Sequence, residues 1–348
     1  MKIDVVPEGL LEGAALASGL MPTPLVLGFW GMMASRCIMA GVKLDVFESL
    51  SDGPKTFGEI SEITGCDKTG METLLNALNG LGYLKRRKGR YSNAVLVKRW
   101  LLKSSHFSLR DSILFFMDLW DLLGEMDERV KSGKPADLHH GGRPAEFWRR
   151  YMRGLATFAR YAGKEIAGRV RFGRPPERLL DVGGGHGAYS MAFCKKHPAL
   201  KAEVMDLPEA VLQGKEIVDE CGMQERVIFR EGDLRKADWG SGYDAVLIFN
   251  VIHNVTPGEA CSALKKAYDS LKDGGRLVVL DSQHTGGDKD LSMTGGFNEL
   301  LFFLTSNARA YPESTIRKWM KDAGFFCLKT RRVFSMPMTA LIIGKKQG

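Results

Sequence analysis

Two textures of hydrophobic and polar positions divide the chain. From residue 177 onward, short apolar runs alternate with amphipathic stretches. RLLDV, KAEVMD, RVIFREGD, YDAVLIF, GRLVVLD and TALIIG read as strands, and 189–196, 208–221, 258–271 and 313–323 fit helices. Buried apolar strands separated by helices predict an open α/β sheet covered on both faces. Such a sheet takes its ligand outside the carboxyl ends of its strands.

The preceding half is helical with one exception. Stripes at three- and four-residue spacing (Ile113, Leu114, Met117, Trp120 and Leu123, then Phe147, Tyr151, Leu155 and Phe158) predict helices between 108 and 170, with Pro144 suited to a first helical turn. The loop KSGKPADLHHGGRP separates them. Further upstream, Thr56 and Glu59 make a capping box, Gly65 gives a turn, and Asp67 caps a second helix carrying Met71, Leu74, Leu75 and Leu78. Lys88-Gly89 between Tyr83-Leu84 and Tyr91 then predicts a hairpin. Helix, turn, helix and basic hairpin form a winged helix. Many such motifs read DNA through the second helix, but here DKTGMETLLNALNGLG offers Lys68 as its cation and no arginine or glutamine. A packing module fits it better than a phosphate-tracking one, and no nucleic-acid partner is expected.

The run 13–35 carries no charge. Its length would span a bilayer, but Pro22, Pro24 and four glycines interrupt it. The expectation is a proline-initiated helix from about Leu25, buried in protein as a subunit interface, with a membrane segment as the minority alternative.

Composition changes this picture little. The 348 residues, 44% hydrophobic and 26% charged, suit a two-domain globular protein. Part of the net charge of +8 is the local run Lys85, Arg86, Arg87, Lys88 and Arg90, which reads as a solvated turn. The cysteines are scattered with no C-x-x-C pair, which favours reduced thiols in a cytoplasmic protein. Asp4, Glu8 and Glu12 sit where a secretory leader would want positive charge. His139 and His140 are adjacent, with no acidic or cysteine ligand at a chelating interval, so no metal site is expected.

The chemistry concentrates at LLDVGGGHGAYS, 179–190. Gly183-x-Gly185-x-x-Ala188, with Asp206 ending the next strand, satisfies a dinucleotide fingerprint. The same residues satisfy Asp-x-Gly-x-Gly-x-Gly, with Asp181 before the turn and Gly187 closing it. That alternative accommodates a nucleoside with an amino-acid tail and no phosphate. EGDL (231–234) places a second carboxylate at the third strand end, NVIHN (250–254) follows the fourth strand, and LKDGGRLVVLD supplies a fifth.

With DVGGGHG, MDLP, EGDL, the histidine after the fourth strand and GGRLVVLD together, the sequence resembles the class I S-adenosylmethionine-dependent O-methyltransferases of two-domain type, which include acetylserotonin and caffeate-type enzymes. The likeness covers most of the chain. It implies a Rossmann-like α/β sheet with a helical, winged-helix N-terminal dimerisation domain. The parts would be 1–105 for dimerisation, 106–168 for linking helices that contribute to the substrate pocket, and 169–348 for the catalytic domain. It implies S-adenosyl-L-methionine as cofactor, a small aromatic hydroxyl as acceptor, and a homodimer.

Residue by residue, the resemblance implies that Gly183 and Gly185 approach the cofactor and that Asp206 with Leu207 holds the ribose. Gly232, Asp233 and Leu234 would line the adenine pocket, Asn250 would touch the cofactor, and Trp148 and Met152 would reach over cofactor and substrate. Aromatic faces and thioethers tolerate a sulfonium cation in a water-excluding pocket. His253 falls at the family's general base and Asp281 at its orienting carboxylate. An imidazole can take a phenol's proton as the oxygen attacks, an effect of roughly two to four orders of magnitude. His186, within the turn, reads as structural.

Two departures stand out. His-Asp-Trp of the family is His253-Asn254-Val255 here, and the second orienting acid has no counterpart in SNARAYPE, where Glu313 is the nearest carboxylate. Methylation at carbon or nitrogen therefore stays open. Phe115, Phe116, Trp120, Met293, Phe297, Phe302 and Phe303 suggest a flat apolar acceptor. A dinucleotide oxidoreductase would need a Tyr-x-x-x-Lys-type pair that does not follow the fourth strand. A metabolite-sensing winged-helix regulator with a degenerate catalytic domain is the non-enzymatic alternative.

Overall fold

The computed structural model describes residues 4–282 and 291–348. The chain divides into two compact units, Met1–Met117 and Asp118–Gly348, parting inside the helix Arg110–Gly124.

In the first unit, the capping box at Thr56 and Glu59 opens the helix Phe57–Thr64, Gly65 closes it at φ 67°, and the Asp67 side chain accepts from Gly70 N to cap Lys68–Gly80. Met71, Leu75 and Leu78 of that helix are buried with Phe47, Ile60, Leu84 and Tyr91. Strand β1 (Lys55–Thr56) pairs with β3 (Arg90–Asn93), which pairs with β2 (Leu84–Arg87). Lys88 and Gly89 both have positive φ, 48° and 76°, the two-residue turn whose twist matches its strands.

The apolar run forms a continuous helix, Thr23–Lys43, begun by Pro24 and containing a π-helical turn at Val26–Trp30. Among the described residues it is the one helix long and apolar enough to cross a membrane by length and composition. Its own chain leaves most of this helix uncovered. Leu25, Leu27, Phe29, Trp30, Met32 and Met33 are exposed, Trp30 by 60%.

The second unit is built on a seven-stranded sheet. Its strands are β4 (Arg178–Val182), β5 (Lys201–Asp206), β6 (Val227–Glu231), β7 (Tyr243–Phe249), β8 (Leu271–Ser282), β9 (Phe326–Arg332) and β10 (Thr339–Lys345), in the order β6-β5-β4-β7-β8-β10-β9. β10 runs antiparallel to both its neighbours, and the pairings from β6 to β8 are parallel. Every residue of β7 is buried, as a central strand covered on both faces requires. The strand order reverses between β4 and β7, which opens a crevice at their carboxyl ends.

Ala145–Arg169 is the longest helix described. It begins one residue later than the sequence suggested, because Pro144, at φ −65° and ψ 155°, is the extended residue before the first turn. Gly163 lets it close on Ala188–Lys196, since a Cβ there would lie 2.9 Å from Ala192 Cβ. The sequence missed the edge strand β9 and the helix Met293–Ser306.

Candidate active site

The glycine turn joins β4 to Ala188–Lys196. Gly183, Gly185 and Gly187 all adopt positive φ, at 68°, 35° and 65°, a region L-residues avoid. Space is short as well as torsion. A Cβ on Gly185 would lie 2.8 Å from Met152 Sδ and 3.3 Å from Asp206 Oδ2, and one on Gly183 would lie 2.6 Å from a Val251 methyl. Without side chains there, the turn, Asp206 and the buried Met152 enclose a cradle at the crevice. Trp148, one helical turn before Met152, is buried beside it.

His186 is structural. Its Nδ1 accepts from Ala188 N at 3.0 Å, and burial pushes its imidazole down to about 4, leaving that nitrogen unprotonated.

Asp206 sits at the end of β5. Gly185 N donates to its Oδ2 and Leu207 N to its Oδ1, both at 2.7 Å. Burial raises this carboxyl to about 6 against those two bonds. Gly232 N donates to the carbonyl of Asp206 at 2.9 Å, which ties the third strand end to the second. Asp233 beside it is engaged by Arg235. The guanidinium Nε and Nη2 donate at 2.9 and 2.7 Å and hold the carboxylate down to about 2. Arg235 Nη2 also meets His140 Nε2 at 3.0 Å. The neighbouring Leu234 carbonyl accepts from Trp239 Nε1 and Lys266 Nζ.

After β7 the chain turns at Asn250, whose φ of 56° is one that asparagine tolerates. A short 3₁₀ turn, Ile252–Asn254, then presents His253. Its Nδ1 lies 2.6 Å from Asp281 Oδ1, its backbone N–H donates to Oδ2 at 3.3 Å, and its ring stacks on Phe302 with centroids 3.9 Å apart. Both His253 and Asp281 are buried. With Nδ1–H donated to the carboxylate, Nε2 keeps its lone pair, the tautomer a general base requires.

Glu313 plays no part in holding this ring. It accepts from Thr330 Oγ1 and pairs with Arg317. The segment before the last helix contributes Tyr311 instead, whose hydroxyl donates to Val255 O at 2.9 Å, and Ser306 Oγ donates to Asn254 Oδ1 at 2.8 Å. These two bonds secure the loop that carries His253.

Of the predicted acceptor-pocket residues, Phe302 is the one placed against His253. Phe297 is 58% exposed, and Phe115 and Phe116 belong to the first unit. Two residues that sequence reasoning assigned to a loop and to a core stripe join the site. His139 Nε2 lies 3.1 Å from the Tyr151 hydroxyl, and Tyr151 is on the helix turn that carries Trp148 and Met152.

Residues 132–326, more than half the chain, match the model of the O-methyltransferase domain, and residues 28–104 match the O-methyltransferase dimerisation domain. Similar curated proteins include 3-hydroxy-5-methyl-1-naphthoate 3-O-methyltransferase of Streptomyces sahachiroi, 26% identical over 93% of this chain and 94% of that one. L-tyrosine C(3)-methyltransferase of Streptomyces lavendulae is 24% identical over 85% and 84%. Among solved structures, human N-acetylserotonin methyltransferase in complex with S-adenosylmethionine superposes with a TM-score of 0.81 and 20% identity, covering 100% of each chain.

Proposed function

The chain belongs to the O-methyltransferase family and is an S-adenosylmethionine-dependent methyltransferase, and from that premise we propose that it methylates a hydroxyl of a small aromatic acceptor with His253 as general base. The observation that carries this reading is the 2.6 Å contact between His253 Nδ1 and Asp281 Oδ1, with the ring packed on Phe302.

The cofactor-side residues fit a nucleoside with an amino-acid tail. The cradle at Gly183 and Gly185 admits a ligand against the backbone. The half-buried Asp206 carboxylate can accept from ribose hydroxyls, and Leu207, Gly232, Asp233 and Leu234 would bound the base. Asn250 would lie along the cofactor, and Trp148 and Met152 would close over it, since apolar and thioether surfaces suit a sulfonium. When bound, S-adenosylmethionine supplies an electrophilic methyl group and leaves as S-adenosylhomocysteine.

His253 Nε2 takes the proton of the acceptor hydroxyl as the oxygen becomes the nucleophile, and Asp281 stabilises the resulting imidazolium across Nδ1–H. Burial of the pair excludes water that would compete for the base.

The dimerisation-domain match extends this to a homodimer. The exposed apolar face of Thr23–Lys43 would be covered by a second copy rather than by a bilayer. Six free cysteines suit a reducing cytoplasm. Lys68 as the cation of the winged helix's second helix suits packing rather than nucleic acid. We keep 1–105, 106–168 and 169–348 as the functional division. A transfer to carbon or nitrogen is the second reading, favoured by the C-methyltransferase among the relatives and by Asn254 and Val255 beside the base.

A calorimetric titration tests the cofactor assignment. S-adenosylhomocysteine should bind wild type, should fail with Asp206→Ala, and NAD should give no heat. Heat with NAD alone would overturn it.

A further inference from the structure

The pair His139–Tyr151 has no place in the proton transfer described above, yet it joins the helix that carries Trp148 and Met152 to a loop held by the helix that carries Phe302. Tyr151 lies on the helix turn that carries Trp148 and Met152. Its ring stacks on Phe147, with centroids 5.8 Å apart and planes 20° from parallel, and meets Trp148 edge-on at 5.8 Å.

His139 comes from the loop between helices. Ala136 N donates to Leu304 O at 2.7 Å and Leu138 N to Thr305 O at 3.0 Å, so this loop is pinned to the end of Met293–Ser306. The same helix carries Phe302, on which His253 stacks. One helix thus registers both imidazoles. His139 and Tyr151 lie deep in the unit, yet each keeps part of its surface open, which is how residues on a cleft wall are placed.

The protonation of the pair follows from its surroundings. Burial pushes the His139 imidazole down to about 4. Burial pushes the Tyr151 hydroxyl well above its ordinary range. Both are neutral at pH 7. The Tyr151 hydroxyl lies 3.1 Å from His139 Nε2, and a neutral imidazole that accepts there carries its proton on Nδ1. Among the described residues, Tyr151 is the one hydrogen-bond partner of His139.

We infer that His139 recognises the acceptor by donating Nδ1–H to a second oxygen on it, with Tyr151 as the positioning residue that fixes the tautomer. The acceptor class is then a flat aromatic hydroxyl that also bears a carbonyl or similar oxygen acceptor. This rests on the aromatic-hydroxyl reading of the site. A buried donor left unpaired opposes any acceptor lacking that oxygen, which makes the contact one of specificity.

The test compares 2-naphthol with its 3-, 6- and 7-acetyl derivatives, using wild type, His139→Ala, His139→Gln and Tyr151→Phe. The wild type should favour at least one acetyl derivative by about tenfold or more in kcat/KM, the scale of one hydrogen bond. His139→Ala should reduce that preference to about threefold or less, through KM. Tyr151→Phe should lose part of it on the same compound, and His139→Gln, which retains an N–H donor, should restore part. S-adenosylhomocysteine binding by the His139 variants shows that the fold is intact. A preference that survives in His139→Ala, or an equal fall in kcat on all four compounds, overturns the inference. If the wild type turns over none of them while still binding S-adenosylhomocysteine, the aromatic-hydroxyl reading fails and takes this inference with it.

Discussion

The His253 ring lies face to face with Phe302, with centroids 3.9 Å apart and planes 15° from parallel. Asp281 fixes the imidazole in its own plane, and Phe302 fixes it along the normal. The phenyl face also favours the imidazolium that forms when the base takes a proton. Phe302→Ala should lower kcat by about tenfold with little change in the affinity for S-adenosylhomocysteine, read from steady-state rates and calorimetry. An unchanged kcat would show that Asp281 alone orients the base.

Asp181 is fully buried at the start of the glycine turn, with Ser190 Oγ donating to Oδ2 at 2.7 Å. Burial raises its carboxyl from 3.8 to about 7, although the Ser190 bond opposes this. Between those values the folded state holds a proton that the unfolded chain has released, so this group makes stability fall as pH rises through the window. Asp181→Asn should therefore raise the melting temperature at pH 8 by on the order of 5 °C and give no comparable gain at pH 4. Thermal melts at the two pH values check this, and equal shifts at both would contradict it.

Gly214, in the helix Pro208–Glu220, is required by the turn it faces. A Cβ there would lie 2.1 Å from the carbonyl oxygen of Gly185. Gly214→Ala should cost about 1–3 kcal/mol as overpacking and should weaken S-adenosylhomocysteine binding by displacing the turn. Gly258, in the helix Pro257–Ser270, has nothing within 4 Å of such a Cβ, and Gly258→Ala should be neutral or stabilising. Chemical denaturation of the two variants side by side separates these outcomes.

What the sequence disclosed followed the range of its local signals. The period of each strand, the glycine turn and the residues at strand ends placed Asp206, Asn250, His253 and Asp281 around one crevice, because a parallel sheet gathers its carboxyl ends there. Trp148 and Met152 came from the family resemblance, on a helix whose period was legible in Phe147, Tyr151, Leu155 and Phe158. His139 and Gly214 carry no such local signal, since each matters through a contact with a residue distant in sequence: Tyr151 and the Gly185 carbonyl. β9 escaped detection because FCLKTRR is an edge strand, mostly exposed, where charges replace apolar alternation. In MTGGFNELLFFLTS, early glycines and a near-continuous apolar run hide the helical period. The apolar run of the first long helix was legible, but nothing local in it names the surface that covers it.

Trp30→Glu combined with Phe29→Ser places a charge and a hydroxyl on the exposed apolar face of Thr23–Lys43. Sedimentation velocity should show a wild-type dimer and a monomeric or strongly weakened variant. A variant that sediments as the wild type does would remove this face from the interface.

The most direct measurement is a single-turnover reaction with S-adenosylmethionine carrying a ¹³C methyl group and an accepted phenol, quenched and read by carbon NMR, for wild type and His253→Ala. The wild type should yield one new methyl resonance on oxygen, and His253→Ala should slow its appearance by roughly two to four orders of magnitude while still binding S-adenosylhomocysteine. A label that appears on carbon or nitrogen, or a variant as fast as the wild type, would contradict His253-assisted O-methylation.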